Sequence, residues 1–430
     1  MKVLMFGWEF PPHISGGLGT ACFGLTRGMA SVPDLDVLFV VPKAFGDEDK
    51  SKVEDIIGAN NISVKNKKIR MSHLSKTLDY IEVDSKLVPY VDPDDYYRLR
   101  SLNVGENFRF LQTDSEGKFN FTGKYGTTLL QEIHNYAIIA NIIAQENSFD
   151  VIHAHDWLTY PAGIAAKEAT GKPLVVHVHA TDFDRSGGSV NPVVYEIEKR
   201  GMEAADKVIT VSNLTRNIVI EKYGIPAEKV VTVYNAVDPL KPEMTHYSPK
   251  GMNEKLVTFL GRITMQKGPE YFIEAAAKVL SRMNNVRFVM AGSGDMMEKM
   301  IRRAASLKIT DRFHFTGFLR GQDVYSMLRM SDLYVMPSVS EPFGISPLEA
   351  MQSNVPVLIS HQSGVAEILT YAIKTDYWDI DAMADAIYAV LNYPALGKMF
   401  AKYGKAEVDS LQWENSARKI KKIYDSVVSK

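Results

Sequence analysis

Short runs of β-branched and other apolar residues recur along the chain, and most are apolar throughout rather than alternating. In the first half they fall at 2–7 (KVLMFG), 36–41 (DVLFVV), 150–155 (DVIHAH), 173–179 (PLVVHVH), 207–211 (KVITV) and 229–234 (KVVTVY). In the second half they fall at 255–261 (KLVTFLG), 286–292 (VRFVMAG), 312–317 (RFHFTG), 333–338 (LYVMPS) and 355–360 (VPVLIS). Strands covered on both faces of a parallel sheet read this way. Helical patterns such as GTTLLQEIHNYAIIANIIAQ and PEYFIEAAAKVLSRM lie between them, so the chain repeats βαβ units. The pattern predicts an α/β protein of two doubly wound, Rossmann-like domains. The stretch 239–255 (PLKPEMTHYSPKGMNEK) is rich in Pro, Lys and small polar residues and has no apolar period. It divides a first domain, 1–240, from a second, 241–412. The region 45–120 is the least regular, with polar turns at 92–95 (DPDD) and 113–118 (TDSEGK), and reads as an insertion or a run of extra strands.

Composition narrows the class. A length of 430 residues suggests two or three domains, and 46% hydrophobic with 23% charged residues is ordinary for a globular protein. Lys plus Arg number 49 against 51 Asp plus Glu, a net charge of -2, which argues against a general nucleic-acid binder. The basic run at 65–70 (KNKKIR) reads as a solvated face, with peripheral contact to acidic lipid as the alternative. Cys22 is the only cysteine, so no intrachain disulfide forms and a reducing compartment is expected. No apolar run reaches the 18 residues of a membrane span, and the opening residues meet a Pro pair too early for a signal peptide. A cytoplasmic location is the expectation.

In open parallel sheets ligands bind beyond the carboxyl ends of the strands, so the segments there are the candidates for chemistry. After the first strand comes WEFPPHISGGLGT, leading into an amphipathic helix at about 20–31. Gly16, Gly17 and Gly19 permit close backbone approach to an anion at that helix start, although an ordinary flexible loop reads the same way. The glycines lie too far past the strand for a dinucleotide fingerprint. His153 and His155 end one strand and His177 and His179 the next, each pair on one strand face. Four histidines there raise the question of a metal, but no carboxylate completes a recognisable set. Polar groups over a substrate are the favoured reading, with His153 and His177 as core or capping residues, and no metal ligand is assigned.

The second domain carries more. Arg262 and Lys267 follow a strand and precede a helix, where a forked guanidinium and a point-charge ammonium suit a diphosphate. Exposed basic residues are the plain alternative. Gly292-Ser-Gly294-Asp295 makes a turn with room for a nucleotide. Glu341 to Glu349 (EPFGISPLE) places a carboxylate beside Pro and Gly in a loop. Ser346, Pro347 and Glu349 fit the cap, first and third positions of a helix, so Glu349 is open to a capping-box role. The N–H groups of Phe343, Gly344 and Ile345 lie near this helix start. Ser363-Gly364-Val365 offers a further anion-friendly turn.

In this order these motifs resemble the retaining glycosyltransferases of the GT-B fold, the group that includes glycogen and starch synthases and the family 4 enzymes. They are a glycine-rich first loop, a His-Asp pair, R-x4-K, E-x7-E and a closing helix opened by Trp413. The resemblance spans nearly the whole chain and is weakest across 45–120. It implies two domains facing a central cleft, with the helix at 413–430 returning to the first. It implies that Arg262 and Lys267 neutralise the donor diphosphate, and that Glu341 lies by the transferred sugar. It implies that Glu349 holds the ribose hydroxyls, that His155 lies near the sugar's reacting face, and that Gly16 and Gly17 close over the phosphates. Phe343, Gly344 and Ile345 match contacts to phosphate and sugar; Gly294 and Gly364 join the expected substrate-binding set, with Phe318 and Leu319 placed near the base.

The resemblance further implies a metal-independent enzyme without a cofactor, using a nucleotide-sugar donor such as ADP-glucose or UDP-glucose. The expected acceptor is a carbohydrate, an α-glucan as in glycogen synthesis. One departure is Ile14, where bacterial glycogen synthases typically carry Lys two residues before the paired glycines. The alternatives are a surface-polysaccharide or glycolipid transferase of the same mechanism and, from another class, a UDP-sugar 2-epimerase.

Overall fold

The computed structural model describes residues 1–13, 16–65, 67, 113–126, 128–240 and 253–429. The turn expected at 92–95, Ile14, most of the basic run and the centre of the 239–255 segment lie outside these residues. The chain divides into one unit of Met1–Ala236 with Trp413–Lys430 and a second of Val237–Gln412.

The first unit is built on β1 (Lys2–Phe6), β2 (Asp36–Val41), β3 (Asp55–Gly58), β4 (Val151–His155), β5 (Leu174–Val178), β6 (Lys207–Thr210) and β7 (Val230–Thr232). They form an all-parallel sheet in the order β3-β2-β1-β4-β5-β6-β7. The central strands are largely apolar because both faces are covered: β4 and β5 are buried at every position, their histidines included. The helices Leu129–Glu146 and Tyr160–Thr170 bury Ile133, Tyr136, Ala162 and Ala166 in the main core with β1 and β4. The order reverses between β1 and β4, where an open α/β sheet leaves its crevice.

The helix Trp413–Val428 belongs to this unit and packs on the helix Gly17–Ala30. Two glycines make the contact possible. A Cβ on Gly24 would lie 2.2 Å from the Trp413 ring, and one on Gly28 would lie 2.4 Å from the Trp413 carbonyl oxygen.

The second unit contains β8 (Lys255–Leu260), β9 (Val286–Ala291), β10 (Phe313–Gly317), β11 (Leu333–Met336), β12 (Val357–Ser360) and β13 (Ile373–Thr375). This sheet is also parallel, in the order β10-β9-β8-β11-β12-β13, with its reversal between β8 and β11. Its core is Phe259, Phe272, Phe288 and Phe313 with the aliphatic residues around them. No helix of the described residues is long and apolar enough to cross a membrane.

Candidate functional site

In the second unit β8 runs into a turn that the sequence shapes with glycines. Gly261 and Gly292 take positive φ values of 157° and 145°, and a Cβ on Gly292 would collide with the Gly261 carbonyl oxygen at 1.8 Å. The two strand ends can therefore touch, and the Ile263 N–H donates to the Ser293 carbonyl at 2.8 Å. Gly294 has the same role: a Cβ there would meet the Ile263 carbonyl oxygen at 2.3 Å, so its first duty is to let the turns pair. A 3-10 turn, Met265–Lys267, then leads through left-handed Gly268 into the helix Pro269–Leu280. Gly268 is pressed so closely on β11 that a Cβ would sit 2.1 Å from the Pro337 carbonyl oxygen.

That contact carries Lys267 to Glu341, and the two form an ion pair with side chains 19% and 9% exposed. Ser338 Oγ lies 3.3 Å from the same carboxylate oxygen. Arg262 shares the turn and reaches Gln266 Oε1 at 3.4 Å. The Glu341 loop is held by backbone bonds to the turn after β12: Glu341 N–H to the Gln362 carbonyl (2.9 Å), Gly364 N–H to the Glu341 carbonyl (2.8 Å) and Val365 N–H to the Phe343 carbonyl (2.8 Å). Gly364 thus builds the loop, and the expectation that the 363–365 turn offers its N–H groups to an anion is corrected, since those of Gly364 and Val365 are used. Gly344 adopts φ 99°, a left-handed conformation that side chains rarely take.

The capping-box reading of Glu349 is also corrected. The helix Ser346–Gln352 has Ile345 at its cap with no side-chain cap bond, and Ser346 Oγ instead bonds the Tyr334 hydroxyl at 2.8 Å. Glu349 is half-buried, and its desolvation raises its pKa to about 7, while a hydrogen bond from Tyr325 acts the other way. Phe318 is 44% exposed beneath the Arg320 guanidinium, and Leu319 packs beside Leu256, Val289 and Ala291.

In the first unit the helix after β1 starts at Gly17 rather than near 20, because Gly16 supplies an extended cap and Gly17 the first helical residue. A Cβ at either glycine would have nothing within 4 Å. His155 lies at the end of β4, buried, and its Nδ1 is 2.9 Å from His179 Nε2. His153 and His177, expected in the core, are buried and stack with it, at centroid separations of 4.3 Å (His153–His155) and 5.3 Å (His155–His177). Burial holds these rings neutral: His153 and His179 fall to about 3, and His155 and His177 lie well below the usual range.

Sequence reasoning passed over Ser338 and Tyr325, and it noted Asp156 and His179 only within the His-Asp pair and the histidine set. Asp156 is buried in a left-handed conformation (φ 59°), accepts from the His179 N–H at 2.6 Å, and is raised to about 6 by burial. His179 and Ser338 support His155 and Glu341, and Tyr325 supports Glu349. A buried Asp at positive φ is a sign of constraint that only backbone geometry shows. Tyr325 and Ser338 carry no sequence signal at all.

Two family models match in succession: Glycosyltransferase Family 4 over 121–240 and Glycosyl transferases group 1 over 241–407. An uncharacterized glycosyltransferase of Methanocaldococcus jannaschii is 27% identical, with 99% of this chain and 98% of that protein covered. A glycogen synthase of Mycobacterium tuberculosis is 22% identical over 99% of this chain and 94% of its own length. Among solved structures, the HepE protein of Anabaena in complex with UDP-glucose superposes with a TM-score of 0.66 at 16% identity, covering 99% of this chain and all of that one (100%). With two parallel-sheet α/β domains and consecutive matches to these models, the chain is a glycosyltransferase of the GT-B fold, resembling the glycogen and starch synthase and family 4 group.

Proposed function

We propose that this transferase moves a hexose, glucose in the first instance, from a nucleoside diphosphate sugar to an α-glucan with retention of anomeric configuration. The observation that carries the proposal is the Lys267–Glu341 pair on the loops after β8 and β11, with Arg262 on the same turn. When the donor's anomeric C–O bond breaks, negative charge gathers on the departing diphosphate and positive charge on the anomeric carbon. Lys267 and Arg262 are fixed cations for the first, and Glu341 is a carboxylate for the second. Such groups stabilise the transition state more than the ground state, where both charges are smaller. The side chains occupy the place that a divalent cation takes in other phosphate chemistry, so the reaction proceeds without metal or cofactor.

In this reading Glu349 accepts hydrogen bonds from the ribose hydroxyls, and Tyr325 holds its carboxyl in place. Phe343, Gly344 and Ile345 contact phosphate and sugar, and the resemblance to the family gives Gly16 and Gly17 of the first unit a phosphate role and His155 a role toward the sugar. The glycogen synthase relative and the UDP-glucose complex support the choice of sugar and acceptor. The acceptor proton leaves with the departing phosphate, on the same face as attack. Ile14, in place of the lysine of bacterial glycogen synthases, favours a second reading in which a surface polysaccharide or glycolipid is built by the same chemistry.

Two experiments separate these. A thermal-shift screen against ADP-, UDP- and GDP-sugars identifies the donor, because a ligand bound only by the folded state raises the melting temperature. Labelled glucose from that donor then appears in glycogen under the first reading and in a lipid extract under the second; failure of all three donors to shift melting overturns both.

A further inference from the structure

The loop after β10 carries two side chains to which the proposed transfer gives no task. It runs from Gly317, the last residue of β10, to Gly321 (GFLRG), and both end glycines take left-handed φ values, 75° and 52°. The Gly317 carbonyl accepts the Gly292 N–H at 2.8 Å, which sets the loop beside the turn of Gly292 and Gly294. At the other end Gly321 precedes the helix Gln322–Met330, and the Asp323 N–H donates to the Arg320 carbonyl at 3.1 Å. The backbone is thus tied at both ends, yet Phe318 and Arg320 are exposed. Arg320 Cζ lies 5.3 Å from the centroid of the Phe318 ring. A guanidinium over an aromatic face is held by its flat surface and keeps its N–H groups free at the rim. Among the described residues the Arg320 side chain has no hydrogen bond or ion pair.

The sheet places this pair relative to a donor. Arg262 and Lys267 follow β8, and β9 and β10 are the next two strands on one side. Two strand spacings are about 10 Å, a span that a nucleoside diphosphate bridges from phosphate to base. Tyr325 lies one turn into the helix that the loop opens, and it donates to Glu349. With the diphosphate at Lys267 and the ribose at Glu349, the base falls at the Phe318–Arg320 loop. We propose that Arg320 is a specificity-determining residue of the donor site. It reads a carbonyl oxygen on the base and so selects a uracil or guanine nucleotide against an adenine one. Phe318 is the positioning residue that holds its guanidinium. This placement rests on the roles proposed above for Lys267 and Glu349.

The selection follows from donors and acceptors. A guanidinium offers five N–H donors in a fixed fork and no acceptor. Guanine presents O6 beside N7, two acceptors that the fork meets together, and the O4 of uracil has two lone pairs for the same fork. Adenine sets its N6 amino group beside N1 and beside N7, so on those edges one arm of the fork meets a donor instead. A side chain with one donor and one acceptor, such as Gln, has the pattern that adenine matches.

The test is calorimetric titration of the full chain with UDP, GDP and ADP. The wild type should bind UDP or GDP at least about tenfold more tightly than ADP, the size expected of one such contact, and the tighter of the two identifies the base. Arg320→Gln should bring that ratio to within about twofold of unity, by weakening the preferred nucleotide and not ADP. Phe318→Ala should lower the ratio part of the way, since the guanidinium is then no longer held. Both side chains are exposed, so the variants should keep the wild-type melting temperature. A wild-type preference for ADP, or a ratio unchanged in either variant, overturns the proposal and leaves the donor reading in place. Equal weakening of all three nucleotides in Arg320→Gln also overturns it, because that marks a contact to phosphate and not to the base. Failure of all three to bind the wild type removes the donor reading and this proposal together.

Discussion

Removing the Lys267 charge has two separable effects that follow from its position. Glu341 is 9% exposed and Lys267 19%, so Lys267→Ala leaves a largely buried carboxylate with Ser338 as its remaining side-chain partner. Breaking a fully buried pair costs about 3–5 kcal/mol; partial exposure and the Ser338 hydroxyl reduce this to about 1–3 kcal/mol. Glu341→Gln removes the same pair while keeping the shape, and Lys267→Ala/Glu341→Gln leaves no orphaned charge. The urea midpoint of the double variant should therefore lie above that expected from adding the single losses, with a coupling of about 0.5–3 kcal/mol. Turnover should behave otherwise. Lys267→Ala loses about 10²–10³ in kcat, the effect of removing one fixed group that meets transition-state charge, and the double variant recovers stability but no activity. The assay is release of nucleoside diphosphate from the donor found in the thermal-shift screen. Wild-type turnover in folded Lys267→Ala, or strictly additive midpoints, refutes the reasoning.

Other consequences follow from burial and packing. Glu349 has a folded pKa near 7 against an ordinary 4.5, so the folded state holds its proton more tightly and stability falls as pH rises from about 4.5 through 7. The loss is up to about 3 kcal/mol at about 1.4 kcal/mol per pH unit, and Glu349→Gln should flatten that part of the stability–pH curve. Arg185 lies between the buried carboxylates of Asp182 and Glu198, so Arg185→Met should cost about 3–5 kcal/mol by chemical denaturation. Gly28→Ala drives a methyl into the Trp413 backbone and should cost about 1–3 kcal/mol, whereas Gly16→Ala, with open space around it, should change stability by less than about 0.5 kcal/mol.

Much of the fold was legible because burial on both faces writes itself into sequence as an unbroken apolar run. All eleven expected strands are present, somewhat trimmed at their ends. Strand β13 was passed over, and β3 was covered only by the reading of 45–120 as an insertion or extra strands; both sit at sheet edges with half-exposed positions and have no such run. The capping-box alternative for Glu349 looked open because Ser346-Pro-Leu-Glu349 fits a helix cap, but the helix start has no side-chain cap bond. The hydrogen-bond partner of Glu349, Tyr325, and the like charge of Asp238 are distant in sequence and meet it only in the fold. The 363–365 turn was misread for a related reason: backbone N–H groups look available until the strand-end pairing that uses them is seen. Lys267 and Glu341 are 74 residues apart, and a strand order with β11 beside β8 is what brings them together. The histidine spacing, by contrast, does carry through to geometry, since alternate positions on adjacent strands must share a face.

The most direct test of the central claim is calorimetric titration of UDP and ADP in the presence of EDTA. Binding of one of them to the wild type without metal, weakened at least tenfold in Arg262→Ala and in Lys267→Ala, is the predicted result. Equal affinity in all three proteins, or binding that appears only when a divalent cation is restored, contradicts it.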